Sequence, residues 1–190
     1  MEYLDVVDDL GNPTGQVVER SIAHQKGIQH RTSHVWLIRE KEGKLEILLQ
    51  KRSLNKDSFP GCYDISSAGH IPAGFDYKES AIRELEEELG VQAEADDLIE
   101  CGIRKFEYEG LFHNQYFHDK QISKVFYLIY EKDAFIIQES ELESVLWMNF
   151  DVCYEKVKND SFKHCIYLKE LDMVKETFEK SRLKTSKNTG

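Results

Sequence analysis

Three glutamates near the middle of the chain are spaced so that they could hold a divalent metal ion. Glu84, Glu87 and Glu88 gather on one face of a helix at about 100° per residue, whereas Leu85 and Leu89 lie on an apolar face. Like charges at this spacing repel by roughly 0.2–0.5 kcal/mol per pair, and a bound cation would reverse that cost. Carboxylate oxygens suit Mg²⁺ or Mn²⁺, whose remaining ligands are often substrate phosphates. The alternative is a solvated helix face.

These glutamates belong to a longer pattern with fixed spacing. Gly69 is followed by thirteen residues and then by Arg83-Glu84-Leu85-x-Glu87-Glu88-x-Gly90-Val91. The pattern resembles the Nudix box of the Nudix hydrolases, the superfamily of the MutT-like proteins, and places the box at residues 69–91. The resemblance implies an α/β/α sandwich with a mixed sheet. It also implies that the three glutamates bind the metal ion and that Arg83 orients them.

One position departs from the box. The family has a glutamate six residues after the first glycine, whereas this chain has Phe75 there, followed by Asp76. The missing glutamate is not one of the three helix ligands, so we expect metal binding to be retained. Asp76 is the candidate to replace it in anchoring the loop. If the change at Phe75 abolishes activity, the chain is instead a catalytically silent ligand-binding module.

Motifs outside the box resemble one branch of the superfamily, the isopentenyl-diphosphate isomerases. The matching segments are Tyr3–Asp8, Ala23–Gly27, His30–Arg31, Leu49–Arg52 and Phe59–Gly61. These isomerases bind a second metal ion through three histidines and two glutamates. The histidine positions match His24, His30 and His70, and the glutamate positions match Asp119 and Gln121.

The cysteine of the isomerases is absent from this chain. Ala68 occupies its position, and a methyl group cannot deliver or remove the proton that alkene isomerisation requires. We therefore expect a metal-dependent hydrolase that cleaves a diphosphate linkage in a nucleoside diphosphate derivative or a related small organic diphosphate. An isomerase is the less favoured alternative.

Such a hydrolase needs a base for the attacking water and cations for the phosphates. Glu141 precedes a predicted late strand, where some Nudix enzymes place the base. Arg31, Lys51 and Arg52 are candidate phosphate contacts, because they are basic residues at the ends of predicted core strands. Solvated surface charge is the alternative role for all four residues.

Composition argues against several other classes of protein. The 35 acidic residues outnumber 25 basic ones among 190, and the net charge of −10 disfavours nucleic acid and anionic membranes as partners. No leader-like segment opens the chain, and no apolar run approaches the roughly 18–20 residues of a membrane span, so we expect a cytoplasmic protein. The four scattered cysteines are expected to be free thiols. Domains of this size often form homodimers, and the sequence leaves that open.

The elements that must position these residues alternate between strand and helix patterns. A hairpin and a helical turn are predicted within residues 1–30, and a helix runs from Lys78 to Leu89, where Gly90 stops it. Strands are predicted before and after that helix, one of them at Asp64–Ala68, and a final helix at Leu168–Leu183. We expect a single domain over residues 1–183 and a disordered tail over residues 184–190.

Overall fold

The computed structural model describes residues 1–188, with side chains described as far as Lys184. The elements in chain order are β1 (Tyr3–Val7), β2 (Pro13–Glu19), α1 (Arg20–Lys26), β3 (His30–Lys41), β4 (Lys44–Arg52), β5 (Tyr63–Asp64), β6 (Ser67–His70), α2 (Tyr77–Leu89), β7 (Ile99–Phe112), β8 (Gln115–Ile129), β9 (Leu142–Asn149), α3 (Phe150–Lys158) and α4 (Leu168–Asn188). A single 3-10 turn, Ala95–Asp97, precedes β7.

Within residues 1–188, seven strands form one mixed sheet, and β1 and β2 form a separate hairpin. The main path of the sheet runs β5-β4-β3-β8-β7, while β6 also pairs with β3 and β9 with β4. Strands β3 and β8 are parallel, from the pair His30 and Gln121 to the pair Ile38 and Ile129. The other pairs are antiparallel. Alternate residues of the central strand β3 face opposite sides of this sheet.

Helices cover both faces of this sheet. On one face, Leu85 and Leu89 of α2 pack in a cluster with Val35 and Leu37 of β3. On the other face, α3 and α4 pack over a cluster that includes Trp36. Full burial of one large apolar side chain stabilises the fold by about 1.5–3 kcal/mol. The expected α/β/α sandwich with a mixed sheet is confirmed.

Helix α2 begins and ends at residues with clear capping geometry. The Asp76 side chain accepts a hydrogen bond from the Glu79 backbone N–H at 2.9 Å, which satisfies one of the free donors of the first turn. Gly90 adopts a left-handed conformation with φ of 66° and donates its N–H to the last turn. The predicted end of the helix at Gly90 is confirmed.

The strand predicted at Asp64–Ala68 is divided into β5 and β6. The division falls at Ser66, which is fully buried. Its hydroxyl donates to the Leu48 carbonyl at 2.6 Å and accepts from the Leu37 backbone N–H at 2.8 Å. The side chain thus bonds to β4 and β3 where the chain passes from one strand to the other, and β5 and β6 pair with different neighbours.

The C-terminal region also differs from the prediction. Helix α4 does not end at Leu183 but continues to Asn188. Most of the predicted disordered tail is therefore helical, and residues 189 and 190 lie outside the described part of the chain. No helix in the described part combines the length and the apolar character needed to cross a membrane. The four cysteines are free thiols, as expected.

Candidate active site

Glu84, Glu87 and Glu88, here called the carboxylate cluster, lie on α2 beside strand β6. Glu84 approaches Gly69 so closely that a Cβ atom at position 69 would lie 2.3 Å from the Glu84 carboxyl carbon. Arg83 donates a hydrogen bond to Glu84 Oε1 at 2.9 Å, and its Nε lies 4.0 Å from Glu87 Oε1. Gly69 is therefore required by the close approach of Glu84, and Arg83 contacts two of the three carboxylates.

Glu88 is the most deeply buried member of the carboxylate cluster. It is only 5% exposed, and its Oε2 has no hydrogen-bond partner among the described residues. Burial, together with the neighbouring Glu84 charge, raises the pKa of Glu88 to about 8. Burial also raises the pKa of Glu84. A divalent cation would stabilise both carboxylates in their ionised form, and an unpaired buried oxygen next to a second carboxylate fits a metal ligand.

The loop between Gly69 and α2 is anchored by the N-terminal half of the chain. Asp5 accepts a hydrogen bond from the Gly74 backbone N–H at 2.9 Å and one from Arg31 at 2.8 Å. Arg31 also donates to the Phe75 carbonyl at 2.9 Å. Asp76 caps α2 instead. Asp5 and Arg31 therefore anchor the loop, a role for which the sequence had suggested Asp76.

A second group, His24, His30, His70 and Asp119, forms what we call the histidine cluster. The possible ligand atoms of the three histidines all lie within 4.8 Å of one another. His24 Nε2 and His70 Nε2 are 3.1 Å apart, and His30 Nε2 lies 3.5 Å from Asp119 Oδ1. The resemblance predicted that these three histidines share a site, and the structure brings them together.

The three histidines of this cluster are largely buried, which keeps their imidazoles uncharged near neutral pH. Burial lowers the pKa of His24 to about 3 and that of His30 to about 4, and it also lowers the pKa of His70. His30 Nδ1 bonds to the Ile28 carbonyl at 2.9 Å, so this nitrogen carries the proton and Nε2 keeps its lone pair. His30 Nε2 and Asp119 Oδ1 have no hydrogen-bond partners among the described residues. Neutral imidazoles with free lone pairs are the form that binds metals.

The two clusters meet on strand β6 beside a large cavity. Gly69 contacts the carboxylate cluster, and the next residue, His70, belongs to the histidine cluster. Both residues line a cavity of about 920 Å³. His24 and Asp119 line it as well. Such a volume suits a small organic substrate.

Two of the candidate residues for phosphate binding and proton transfer lie near this cavity. Arg52 lines it, with Nη1 paired to Asp64 Oδ2 at 3.0 Å. Glu141 forms an ion pair with Lys56, which also lines the cavity. Lys56 lowers and Glu141 raises the pKa of Glu88, so this ion pair lies close to the carboxylate cluster.

The other two candidate phosphate contacts lie elsewhere. Arg31 is buried between Asp5 and the Phe75 carbonyl and does not line the cavity. Lys51 forms an ion pair with Glu143 at 2.8 Å and does not line the cavity either. The end of a strand can face either side of the sheet, and this cavity gives no support to either residue as a phosphate contact.

Sequence reasoning missed several cations that line the cavity. Lys56 follows Arg52 in the loop after β4, and Arg104 lies in the middle of β7. Lys56 comes shortly after Lys51 and Arg52, two candidate phosphate contacts, so its position in the following loop could have identified it as a third. Arg104 carries no comparable signal, because it and the adjacent Lys105 lie within a long strand with no motif around them.

Comparison with known proteins agrees with this geometry. The family model described as NUDIX domain matches residues 28–167. The chain belongs to the Nudix family. Nudix hydrolase 3 of Arabidopsis thaliana is 40% identical over 165 residues, which are 83% of this chain and 20% of that protein. An uncharacterized Nudix hydrolase of Clostridium acetobutylicum is 34% identical over 79% of this chain and 71% of its own length.

The chain is also similar to one isopentenyl-diphosphate isomerase and, in its fold, to a solved structure. The isopentenyl-diphosphate Delta-isomerase of Corynebacterium diphtheriae is 23% identical over 78% of this chain and 79% of its own. The crystal structure of DR0079 from Deinococcus radiodurans superposes with a TM-score of 0.67 at 18% identity, covering 90% of this chain and 98% of that one. This structural likeness concerns the fold. The chain spans a fifth of the length of the Arabidopsis relative.

Proposed function

We propose that this Nudix domain is a metal-dependent hydrolase that cleaves the diphosphate linkage of a nucleoside diphosphate derivative or a related small organic diphosphate. The observation that carries the proposal is the carboxylate cluster beside Gly69, a residue that lines the cavity. Glu88 is buried there with an unpaired oxygen, and Gly69 leaves just enough space for Glu84. A buried, unpaired carboxylate is costly unless a cation compensates it.

Glu84, Glu87 and Glu88 would hold Mg²⁺ or Mn²⁺, with Arg83 orienting the first two. When bound, the cation neutralises charge on the phosphate oxygens. Arg52 and Lys56 project charge into the cavity, where they would bind the remaining phosphate oxygens.

Glu141 would accept the proton of the attacking water. It lies immediately before β9 and pairs with Lys56 near Glu88. Release of Lys56 to a substrate phosphate would free the Glu141 carboxylate for this role, since one ammonium group cannot fully neutralise both anions.

The histidine cluster would hold a second divalent ion. Three imidazole nitrogens and one carboxylate oxygen suit Mn²⁺, Fe²⁺ or Zn²⁺ better than Mg²⁺, which prefers oxygen ligands. Its position at the cavity wall, one residue along β6 from Gly69, would bring positive charge to the same substrate.

The histidine cluster and the similarity to an isopentenyl-diphosphate isomerase favour isomerisation as a second candidate. The methyl group of Ala68 lines the cavity where a thiol would be needed. Gln121 donates a hydrogen bond to Asp119 at 2.6 Å and carries no titrating carboxylate. This chain therefore lacks the cysteine and keeps one carboxylate where the isomerase pattern has two glutamates, and hydrolysis is the function that we favour.

A panel of diphosphates tests the proposal. Purified protein is incubated with Mg²⁺ or Mn²⁺ and with nucleoside diphosphate sugars, dinucleotides and isopentenyl diphosphate, and the products are separated by chromatography. We expect metal-dependent cleavage of at least one diphosphate and no isomerised alkene. Tight binding without cleavage would identify a silent ligand-binding module, and an isomerised product would identify the isomerase.

A further inference from the structure

A buried arginine lies in the cavity wall away from the carboxylate cluster. Arg104 on β7 is 6% exposed and lines the cavity. The central carbon of its guanidinium lies 4.7 Å from the ring centroid of Phe106 and 4.8 Å from that of Tyr167. Both rings also line the cavity. The guanidinium is thus held in one orientation by two aromatic neighbours.

A buried carboxylate fixes the other side of this group. Arg104 Nε lies 2.6 Å from Glu170 Oε1, and Glu170 is 2% exposed. His34 Nδ1 and Trp36 Nε1 contact the same carboxylate at 2.8 and 3.1 Å. Although burial alone would raise the pKa of Glu170, His34 and Arg104 lower it to about 2. Glu170 is therefore an anion that positions Arg104.

The terminal nitrogens Nη1 and Nη2 of Arg104 donate no hydrogen bond to a side chain described through Lys184, and the ion pair with Glu170 is made through Nε. Arg39, which is equally buried and stacks on Trp147 at 4.1 Å, differs in this respect. Its Nε pairs with Glu46 at 2.7 Å and its Nη1 with Asp133 at 2.5 Å. Arg39 thus uses both edges of its guanidinium for structure, whereas Arg104 has one ion pair through Nε and lines the cavity.

The strand register gives the distance between Arg104 and β6. His70 pairs with Thr32, Thr32 with Ser123, and Ser123 with Arg104. These residues form one row across the sheet on the face that bears the cavity. Three strand spacings separate the two ends, about 14 Å between backbones. A ligand that reaches Arg104 from β6 must therefore extend along the cavity.

We propose that Arg104 binds a second anionic group of the substrate, a carboxylate or a phosphate that is distinct from the scissile diphosphate. The inference rests on the proposed hydrolase function and narrows its substrate class. The planar fork of an arginine matches both oxyanions through two parallel hydrogen bonds. The aromatic rings and Glu170 hold that fork before the ligand arrives, which reduces the entropy lost on binding.

Two matched pairs of probes test this site. UDP-glucuronate differs from UDP-glucose by a carboxylate, and coenzyme A differs from dephospho-coenzyme A by a phosphate. Calorimetry with Mn²⁺ measures the four affinities, and each sample is then analysed for hydrolysis products. We expect the anionic member of at least one pair to bind roughly tenfold tighter or better, as charge-assisted hydrogen bonds allow. The pair that responds identifies the anion.

Substitutions connect the preference to Arg104. Arg104→Lys keeps the charge and loses the fork, and should reduce the preference to about threefold or less. Arg104→Gln alone would leave Glu170 without its guanidinium partner, so the double substitution Arg104→Gln with Glu170→Gln provides a second variant that removes both charges. Arg39→Lys is the matched control outside the cavity, and we expect it to leave the preference unchanged.

The outcomes separate this inference from the hydrolase function. Equal affinity for both members of both pairs, including no binding at all, contradicts the inference. A preference that persists in both Arg104 variants also contradicts it. A preference that depends on Arg104 without any hydrolysis products supports the site and argues against the hydrolase. Hydrolysis without a preference supports the hydrolase and rejects the site.

Discussion

The carboxylate cluster and the histidine cluster adjoin the same strand, yet they are prepared for a metal ion in different ways. Burial raises the pKa of Glu88 to about 8 and lowers that of His30 to about 4. The same physical cause, loss of hydration, therefore favours the uncharged form in both clusters. Near pH 7 the acid must lose its proton before it can bind a cation, whereas the imidazoles are already in their binding form. The two proposed metal sites, which adjoin β6, should therefore differ in their response to pH.

The largest expected effect separates the clusters by activity. Glu88→Gln keeps the shape of the side chain and removes the buried charge, so the metal-dependent hydrolysis rate should fall by at least about 100-fold. Glu86→Gln on the exposed side of the same helix is the matched control and should change the rate less than twofold, about the effect of a solvated charge. Steady-state kinetics at saturating Mn²⁺ measures both. Equal rates for the two variants would remove Glu88 from the site.

Gly69→Ala should damage one cluster and spare the other. The new methyl group would overlap the Glu84 carboxyl carbon, so we expect Mg²⁺ affinity to fall by about 10- to 100-fold. The space beside Gly69 is occupied by Glu84 and not by a histidine. The histidine cluster should therefore still bind Co²⁺, which is detected by visible absorption. Loss of both metal sites would mean that β6 itself has moved, and unchanged Mg²⁺ affinity would contradict the assignment of Glu84.

The number of protons released on metal binding should also differ between the carboxylate cluster and the histidine cluster. Because the pKa of Glu88 is about 8, Mg²⁺ binding at pH 7 should release about one proton per ion. An ion bound by the neutral histidines should release almost none. Calorimetry in buffers with different ionisation enthalpies measures the difference. Release in the Glu88→Gln variant equal to that of the unmodified protein would assign the proton to another group.

The smallest expected effect is on the pH dependence of the free energy of unfolding in the absence of metal. The folded-state pKa of Glu88 lies above its unfolded value of about 4.5, so the folded state binds more protons and becomes less stable as pH rises. Between pH 6.5 and 8 Glu88 should lower the free energy of unfolding by roughly 1 kcal/mol per pH unit, while the buried histidines, which are still partly protonated in the unfolded state, act in the opposite direction. Urea unfolding of the unmodified protein and of Glu88→Gln over this range isolates the Glu88 contribution as the difference between their slopes. Glu86→Gln should show the same slope as the unmodified protein.

The sequence predicted local features more successfully than distant pairings. The periodicity of α2 and its stop at Gly90 follow from neighbouring residues, the α/β/α layers follow from the Nudix resemblance, and all three were confirmed. The pairing of Arg31 with Asp5 could not be predicted in this way, because Asp5 lies 26 residues away on another strand. Glu170 is even more distant from Arg104, and no local pattern links them. Such pairs depend on sheet register, which a single sequence does not specify.

The hydrogen bond from Gly74 to Asp5 also has a consequence for folding. It closes 69 residues of chain, whereas α2 forms from contacts within four residues. The helix that bears the glutamates can therefore form early. The loop before it becomes rigid only when β1 has folded against it and Asp5 accepts the Gly74 hydrogen bond. Asp5 lies outside the residues matched by the family model. A chain shortened to that model would keep every box residue and lose the contact that orders the loop, so its Gly74 amide should exchange hydrogen faster.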